Sequence, residues 1–80
     1  MHEMSLCEGI VRIIEKQAEK EDFNRVVKVR VIVGSLSGAS EEALRFCFPF
    51  AARGTRAEGA AIEFFSAPDA TLRVAEIEVE

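Results

Sequence analysis

The sequence predicts an α/β fold, a two-layer sandwich in the order α-β-α-β-β, with two helices on one face of a three-stranded mixed sheet. Three observations predict it. Apolar residues recur at steps of three and four after Ser5 and again after Ser40, the spacing of helices that bury one side. Residues 26–33, 61–66 and 71–79 instead carry the two-residue alternation and β-branched or aromatic content of strands. The first strand also points Lys28 and Arg30 away from its valine face, whereas the second and third point Glu63, Glu76 and Glu78. Opposite charges on neighbouring strands stabilise a sheet face by about 0.2–1 kcal/mol per pair and two acidic neighbours gain nothing, so the first strand belongs beside an acidic one, the third being the better candidate.

Taken in order, Ser5-Leu6-Cys7-Glu8 has the form of a capping box and places the start of the first helix at Ser5. Leu6, Ile10, Ile13, Ile14 and Ala18 form its apolar stripe, widened by Val11. Glu8, Arg12, Glu15, Lys16, Glu19 and Lys20 read as a solvated face, because only Glu8–Arg12 is a favourable four-step pair. The helix is expected to end near Glu21 and Asp22. In the strand over 26–33, Val27, Val29, Val31 and Val33 share one face, with Lys28, Arg30 and Ile32 on the other. Gly34-Ser35-Leu36-Ser37-Gly38 is a loop; it lacks the G-K-[ST] ending and the lysine of a phosphate-binding loop.

Ser40 caps the second helix, and Glu41 and Glu42 occupy its first turn, where the helix dipole favours negative charge. Ala43, Leu44, Cys47, Phe48 and Ala51 form the buried stripe. Pro49 deletes a backbone hydrogen bond and crowds the carbonyl of Arg45, so a kink or a tighter final turn is expected before Arg53-Gly54 closes the element. Because this helix separates the first two strands, the link can be a right-handed crossover. Ile62 and Phe64 face one way in the second strand, Glu63 and Phe65 the other. In the third, Ala75, Ile77 and Val79 oppose Glu76 and Glu78.

Composition narrows the function. Eighty residues make one domain, and a hydrophobic content of 49% suffices for a core in which six Phe supply all the aromatic packing. A net charge of −4 argues against nucleic acid and anionic membrane surfaces as partners. No apolar run reaches the roughly 18 residues of a membrane span, and the first residues do not follow the basic-then-apolar order of a signal peptide, so a cytoplasmic protein is expected. Cys7 and Cys47 read as buried, inert thiols. One histidine, no Cys–His neighbours and no phosphate cradle leave little for an enzyme. Of Phe46, Phe48 and Phe50, Phe48 belongs to the core, and Phe46 or Phe50, if exposed, forms a patch for a partner or a homodimer. A stretched link between Gly34 and Gly38 would permit exchange of elements between two chains.

The chemistry sits at the start, in Met1-His2-Glu3. An amine–X–His start offers a metal three nitrogens: the α-amine of Met1, the amide of His2 and the His2 imidazole. Once the amide loses its proton, amine and amide close a five-membered chelate ring, and amide and Nδ1 a six-membered one. This suits a nearly square-planar ion, Ni(II) or Cu(II), better than tetrahedral zinc. Glu3 can add its own amide nitrogen or its carboxylate. With a helix starting at Ser5, or a residue or two earlier, these amides have no intrahelical duty. The bland alternative is a solvated terminal histidine.

The opening MHEMSLCEGIVRIIE, then GSLSG, EALRFCF, RGT-x-AEGA and the closing LRVAEIEVE resemble the hydrogenase/urease nickel-incorporation (HypA) family, in order and over nearly the whole chain. The resemblance implies a single nickel-binding domain over 1–80, a metallochaperone carrying Ni(II) toward [NiFe] hydrogenase or urease during maturation. It also implies a GTPase partner, HypB, and a nickel site on Met1, His2 and Glu3. Family members insert a zinc module with two C-x-x-C pairs between the last two strands. Here EFFSAP runs straight into DATLRVAEIEVE, so no zinc is expected, and the module is absent between about residues 66 and 72. Ala67-Pro68-Asp69-Ala70 would then link two adjacent antiparallel strands. A trimmed or isolated scaffold that binds proteins without delivering metal is the alternative reading.

Overall fold

A computed structural model describes residues 3–80. Two helices and three strands follow the expected order: α1 (Glu3–Glu21), β1 (Val26–Gly34), α2 (Glu41–Ala52), β2 (Ala61–Ala67) and β3 (Leu72–Val79). β1 is central in the order β2-β1-β3, parallel to β2 and antiparallel to β3, so the sheet is mixed. The basic strand thus lies between both acidic ones. On the outer face Arg30 meets Glu63 at 3.0 Å, Glu76 at 2.9 Å and Glu78 at 3.3 Å, and Lys28 meets Glu63 at 3.5 Å. One guanidinium, with donors fanned over its planar fork, serves carboxylates from two flanking strands.

The first helix starts earlier than the capping box suggests. Among the described residues α1 already begins at Glu3, so Ser5 lies inside it and is not its cap. Its end falls where expected: the Asp22 amide donates to Ala18 O at 2.8 Å, and Asp22 takes a left-handed φ of 56°. The buried stripe is Cys7, Ile10, Val11, Ile14 and Ala18, rotated from the expected one. Ile13 is 54% exposed and Leu6 only half-buried. The helix packs beside α2 as well as over the sheet, which turns the Cys7 side inward; the Cys7 thiol donates to Leu44 O at 3.4 Å. Glu15, expected in solvent, instead accepts from the Arg56 amide at 2.9 Å and pairs with its guanidinium, tying α1 to the loop after α2.

In β1, Val29, Val31 and Val33 are buried as the alternation requires, but Val26 replaces Val27 at the core. A register shift between Val26 and Lys28 inserts one residue against β3 and reverses the alternation there. A second shift places Arg30 opposite Glu76 but Val31 opposite Val74, leaving Ala75 as the extra residue of β3. Leu72, Val74 and Ile77 therefore all pack against the core, while Glu76 and Glu78 face outward. Strict alternation would have put Leu72 and Val74 on the glutamate face.

α2 begins as read: Ser40 Oγ accepts from the Ala43 amide at 3.2 Å. Leu44, Phe48 and Ala52 are its buried residues, with Cys47 and Ala51 half-buried beside them. Pro49 is followed by a tighter last turn, in which the Arg53 amide donates to Phe50 O at 3.4 Å, and Gly54 at φ 78° leaves the helix.

The link from β2 to β3 differs from the expected hairpin-like connection. The two strands are not neighbours; residues 68–71 cross the C-terminal end of β1 between them. Gly34 makes this crossing possible. A Cβ there would stand 2.1 Å from Asp69 O and 2.7 Å from the Thr71 nitrogen, both backbone atoms. The amides of Ser35 and Leu36 donate to Ala67 O at 2.8 Å and Asp69 O at 2.9 Å, so the crossing segment is held by backbone bonds.

Candidate functional site

Of the predicted metal-site residues, Met1 and His2 lie outside the described residues, and Glu3 is the first within them. Glu3 is half-buried in the opening turn of α1. Its carboxylate reaches across to α2, where Oε2 accepts from the Ser40 amide at 3.4 Å. Ser40 therefore serves both helices: its hydroxyl caps α2, and its backbone N–H holds Glu3. The carboxylate sits at a helix N-terminus, where unpaired amides and the dipole favour an anion. At the same time the Glu3 amide belongs to the first turn of α1 and has no carbonyl to bind within that helix. The two donor groups considered for Glu3 are thus in different situations. The carboxylate is engaged in the fold, and the amide nitrogen has no partner within the helix.

Reading the sequence identified Ser40 as a cap but not as the anchor of Glu3. No local signal connects residues 37 positions apart; the contact exists because α1 and α2 pack side by side.

Cys7, one turn into α1, is fully buried. Burial pushes its thiol up from 9.0 to about 11, helped by negative charge on Cys47, Glu3 and Glu8. A protonated thiol is a poor soft-metal ligand near neutral pH, which keeps Cys7 in a packing role. Cys47 is half-buried rather than fully enclosed. Among the described residues, no three His, Cys, Asp or Glu side chains gather as a metal site. An open apolar groove of about 320 Å³ runs between α1 and β3, with Ile13, Phe23, Val74 and Ile77 in its walls, and brings together no set of catalytic groups. No helix among the described residues is long and apolar enough to cross a membrane.

Comparison with known proteins bears on the same end of the chain. Residues 1–77 match the model of the family described as "Hydrogenase/urease nickel incorporation, metallochaperone, hypA". The chain is 47% identical over 68 residues to hydrogenase maturation factor HypA of Paracoccus denitrificans, an alignment covering 85% of this chain and 60% of the relative. It is 52% identical over 63 residues to the protein of the same name from Bradyrhizobium sp. (strain ORS 278), covering 79% and 56% respectively. The matched part is therefore about three-fifths of the length of these curated relatives, which are named as maturation factors rather than enzymes. The solution structure of the Ni metallochaperone HypA from Helicobacter pylori superimposes with a TM-score of 0.86 over 99% of this chain and 97% of that one, at 16% identity, a likeness of fold. The matched family model and the identity to its curated members make this chain a member of the HypA family.

Proposed function

We propose that this chain is a nickel-handling domain that takes up Ni(II) as cargo at its first three residues and passes it on during hydrogenase maturation. In this reading Met1 supplies its amine and His2 its amide nitrogen and Nδ1, while Glu3 ties the chain start to α2. The His2 amide stands between the other two nitrogens, with a five-membered ring on one side and a six-membered ring on the other, so three corners of a square plane are filled and the fourth is left to a further ligand. The observation that carries the reading is the start of α1 at Glu3 with the carboxylate tied to Ser40. It supports a chain start held against α2, with the Glu3 carboxylate outside the nickel plane. Family membership supports nickel as the cargo. Service to urease, a GTPase partner of the HypB kind, a cytoplasmic setting and operation without a zinc module belong to the same proposal.

The test is a Ni(II) titration of untagged protein with Met1 retained, followed by calorimetry and by d–d absorption. One ion per chain with a square-planar spectrum is expected. His2→Ala and acetylation of the amine should each abolish that spectrum, whereas Glu3→Gln should keep it, because the Glu3 carboxylate fills no corner of the plane. Equal binding by His2→Ala and the parent would refute the site, and loss of the spectrum in folded Glu3→Gln would move the fourth donor to the carboxylate.

A further inference from the structure

The two edges of the sheet are finished differently. A side chain from α2 is bonded to the backbone of β2: the Arg45 guanidinium donates to Ile62 O at 3.3 Å and lies 4.9 Å above the Phe64 ring. Among the described residues no side chain bonds to the backbone of β3. The Glu80 amide donates inward, to Arg25 O at 3.0 Å. Alternation along the strand then turns the backbone groups of Glu78 and Glu76 toward β1 and leaves the N–H and C=O of Ile77 and Val79 pointing out of the sheet. The bulge at Ala75 ends this regular stretch, so the open edge is residues 76–79.

Beside this edge the inner face of the sheet is open and apolar. The groove of about 320 Å³ between α1 and β3 has Ile13, Phe23, Ile77 and Val79 in its walls, and a hollow of about 200 Å³ continues it past Leu6 and Leu72. Ile13 lines both, and at 54% exposed it is a large apolar side chain left in solvent next to the sheet edge. The outer face of the same stretch is acidic. Glu76 and Glu78, each more than half exposed, share the Arg30 guanidinium with Glu63, and Lys28 adds a cation only at Glu63. Two cations thus serve three carboxylates, and the unmet negative charge lies along β3.

A strand laid along residues 76–79 would complete both faces. Residues directly opposite each other on neighbouring strands share a face. Those opposite Ile77 and Val79 would enter the groove, and those opposite Glu76 and Glu78 would meet the carboxylates. We propose that the β3 edge takes up an extended segment of another protein in which apolar residues alternate with lysine or arginine, paired to the free backbone groups of Ile77 and Val79. A second copy of β3 does not meet this requirement, because it would set glutamates against glutamates. The site is independent of the nickel reading. Ile13 lies ten residues beyond Glu3, about 15 Å along α1, so a strand docked here leaves the chain start open.

The probe is a blocked hexapeptide alternating lysine and valine, titrated into the isotope-labelled full chain and followed by NMR. Shifts should centre on Ile13, Ile77 and Val79, and hydrogen exchange at the Ile77 and Val79 amides should slow in the complex. The matching glutamate–valine peptide should bind more weakly by about tenfold or more. I13K should weaken the lysine peptide by about tenfold, and E76Q/E78Q should remove the preference between the two peptides. Circular dichroism of each variant checks that the fold survives, which exposed positions permit. Absence of shifts up to about 1 mM peptide would overturn the proposal. So would shifts scattered over the acidic surface and unchanged by I13K, the mark of charge attraction alone. Binding in the groove without slowed exchange at Ile77 and Val79 would overturn it too, because the occupant would not be paired as a strand.

Discussion

Cys7 shows how a residue in a metal-handling family can be kept out of the chemistry. Its thiol is enclosed between α1 and α2, and its proton is held by the Leu44 carbonyl. Burial, with negative charge at Cys47, Glu3 and Glu8, raises its pKa from 9.0 to about 11. The unfolded chain therefore releases this proton at lower pH than the folded one. The stability contributed by the neutral thiol is whole below pH 9.0 and is lost as pH rises to about 11. Unfolding in urea at a series of pH values should show a decline across that window, and the decline should be shallower in Cys7→Ala. A parallel decline in both proteins would mean that other groups cause it. Glu3 is the counterpart at the same junction: its carboxylate also serves the fold, by holding the Ser40 amide. His2 and Glu3 are candidate donors on the sequence alone, because adjacent residues can chelate through their own backbone. That Glu3 brings its side chain to α2 was not legible, since only packing brings residue 40 near residue 3.

At the scale of elements, the strand ends carry the most information. β2 and β3 both leave or enter the sheet beside the C-terminal end of β1, one on each side. The segment joining them must pass close over Gly34. Alanine at this position drives a methyl group into two backbone atoms that flexible side chains cannot relieve. Gly34→Ala should therefore cost about 3 kcal/mol, at the upper end of overpacking effects. Chemical denaturation measures it, and a change below about 1 kcal/mol would show that the crossing can lift off. The irregularities at Val27 and Ala75 play a related part. Each inserts one residue and so reverses the in–out order, letting Val26 and Leu72 join a core that a regular strand would deny them. Arg30 then supplies the outer face with its centre. Desolvation works to lower its pKa, but the bond to Glu78 and the charges of Glu76 and Glu63 outweigh it and hold the guanidinium proton more firmly than usual.

The whole molecule depends on a core shared among α1, α2 and β1, with β2 and β3 adding half-buried side chains around it. Phe48 is the largest fully buried side chain, 1% exposed, and meets this core from α2. An 80-residue domain holds only a few kcal/mol of net stability. Phe48→Ala, at about 3–5 kcal/mol, should leave it largely unfolded at 37 °C. Far-UV circular dichroism and a thermal melt would show this; a cooperative melt within a few degrees of the parent would mean the core lies elsewhere. The other two phenylalanines of α2 sit on its outer side, so their replacement by polar residues should spare the monomer fold. That contrast within one helix separates its core face from its outer face.

By itself the sequence determined the element order, the pairing of a basic strand with acidic ones, the cap at Ser40 and the nitrogen-rich start, because each is encoded in side-chain chemistry a few residues apart. Only the tertiary structure decided that Ser5 lies inside α1, that Cys7 rather than Ile13 faces inward and that β1 separates β2 from β3. It also decided that Glu3 docks on α2. The division has a physical cause. Helical and strand periods are local, whereas the rotation of a helix, the position of a bulge and the path of a crossing link are set by whichever distant segment occupies the space beside them.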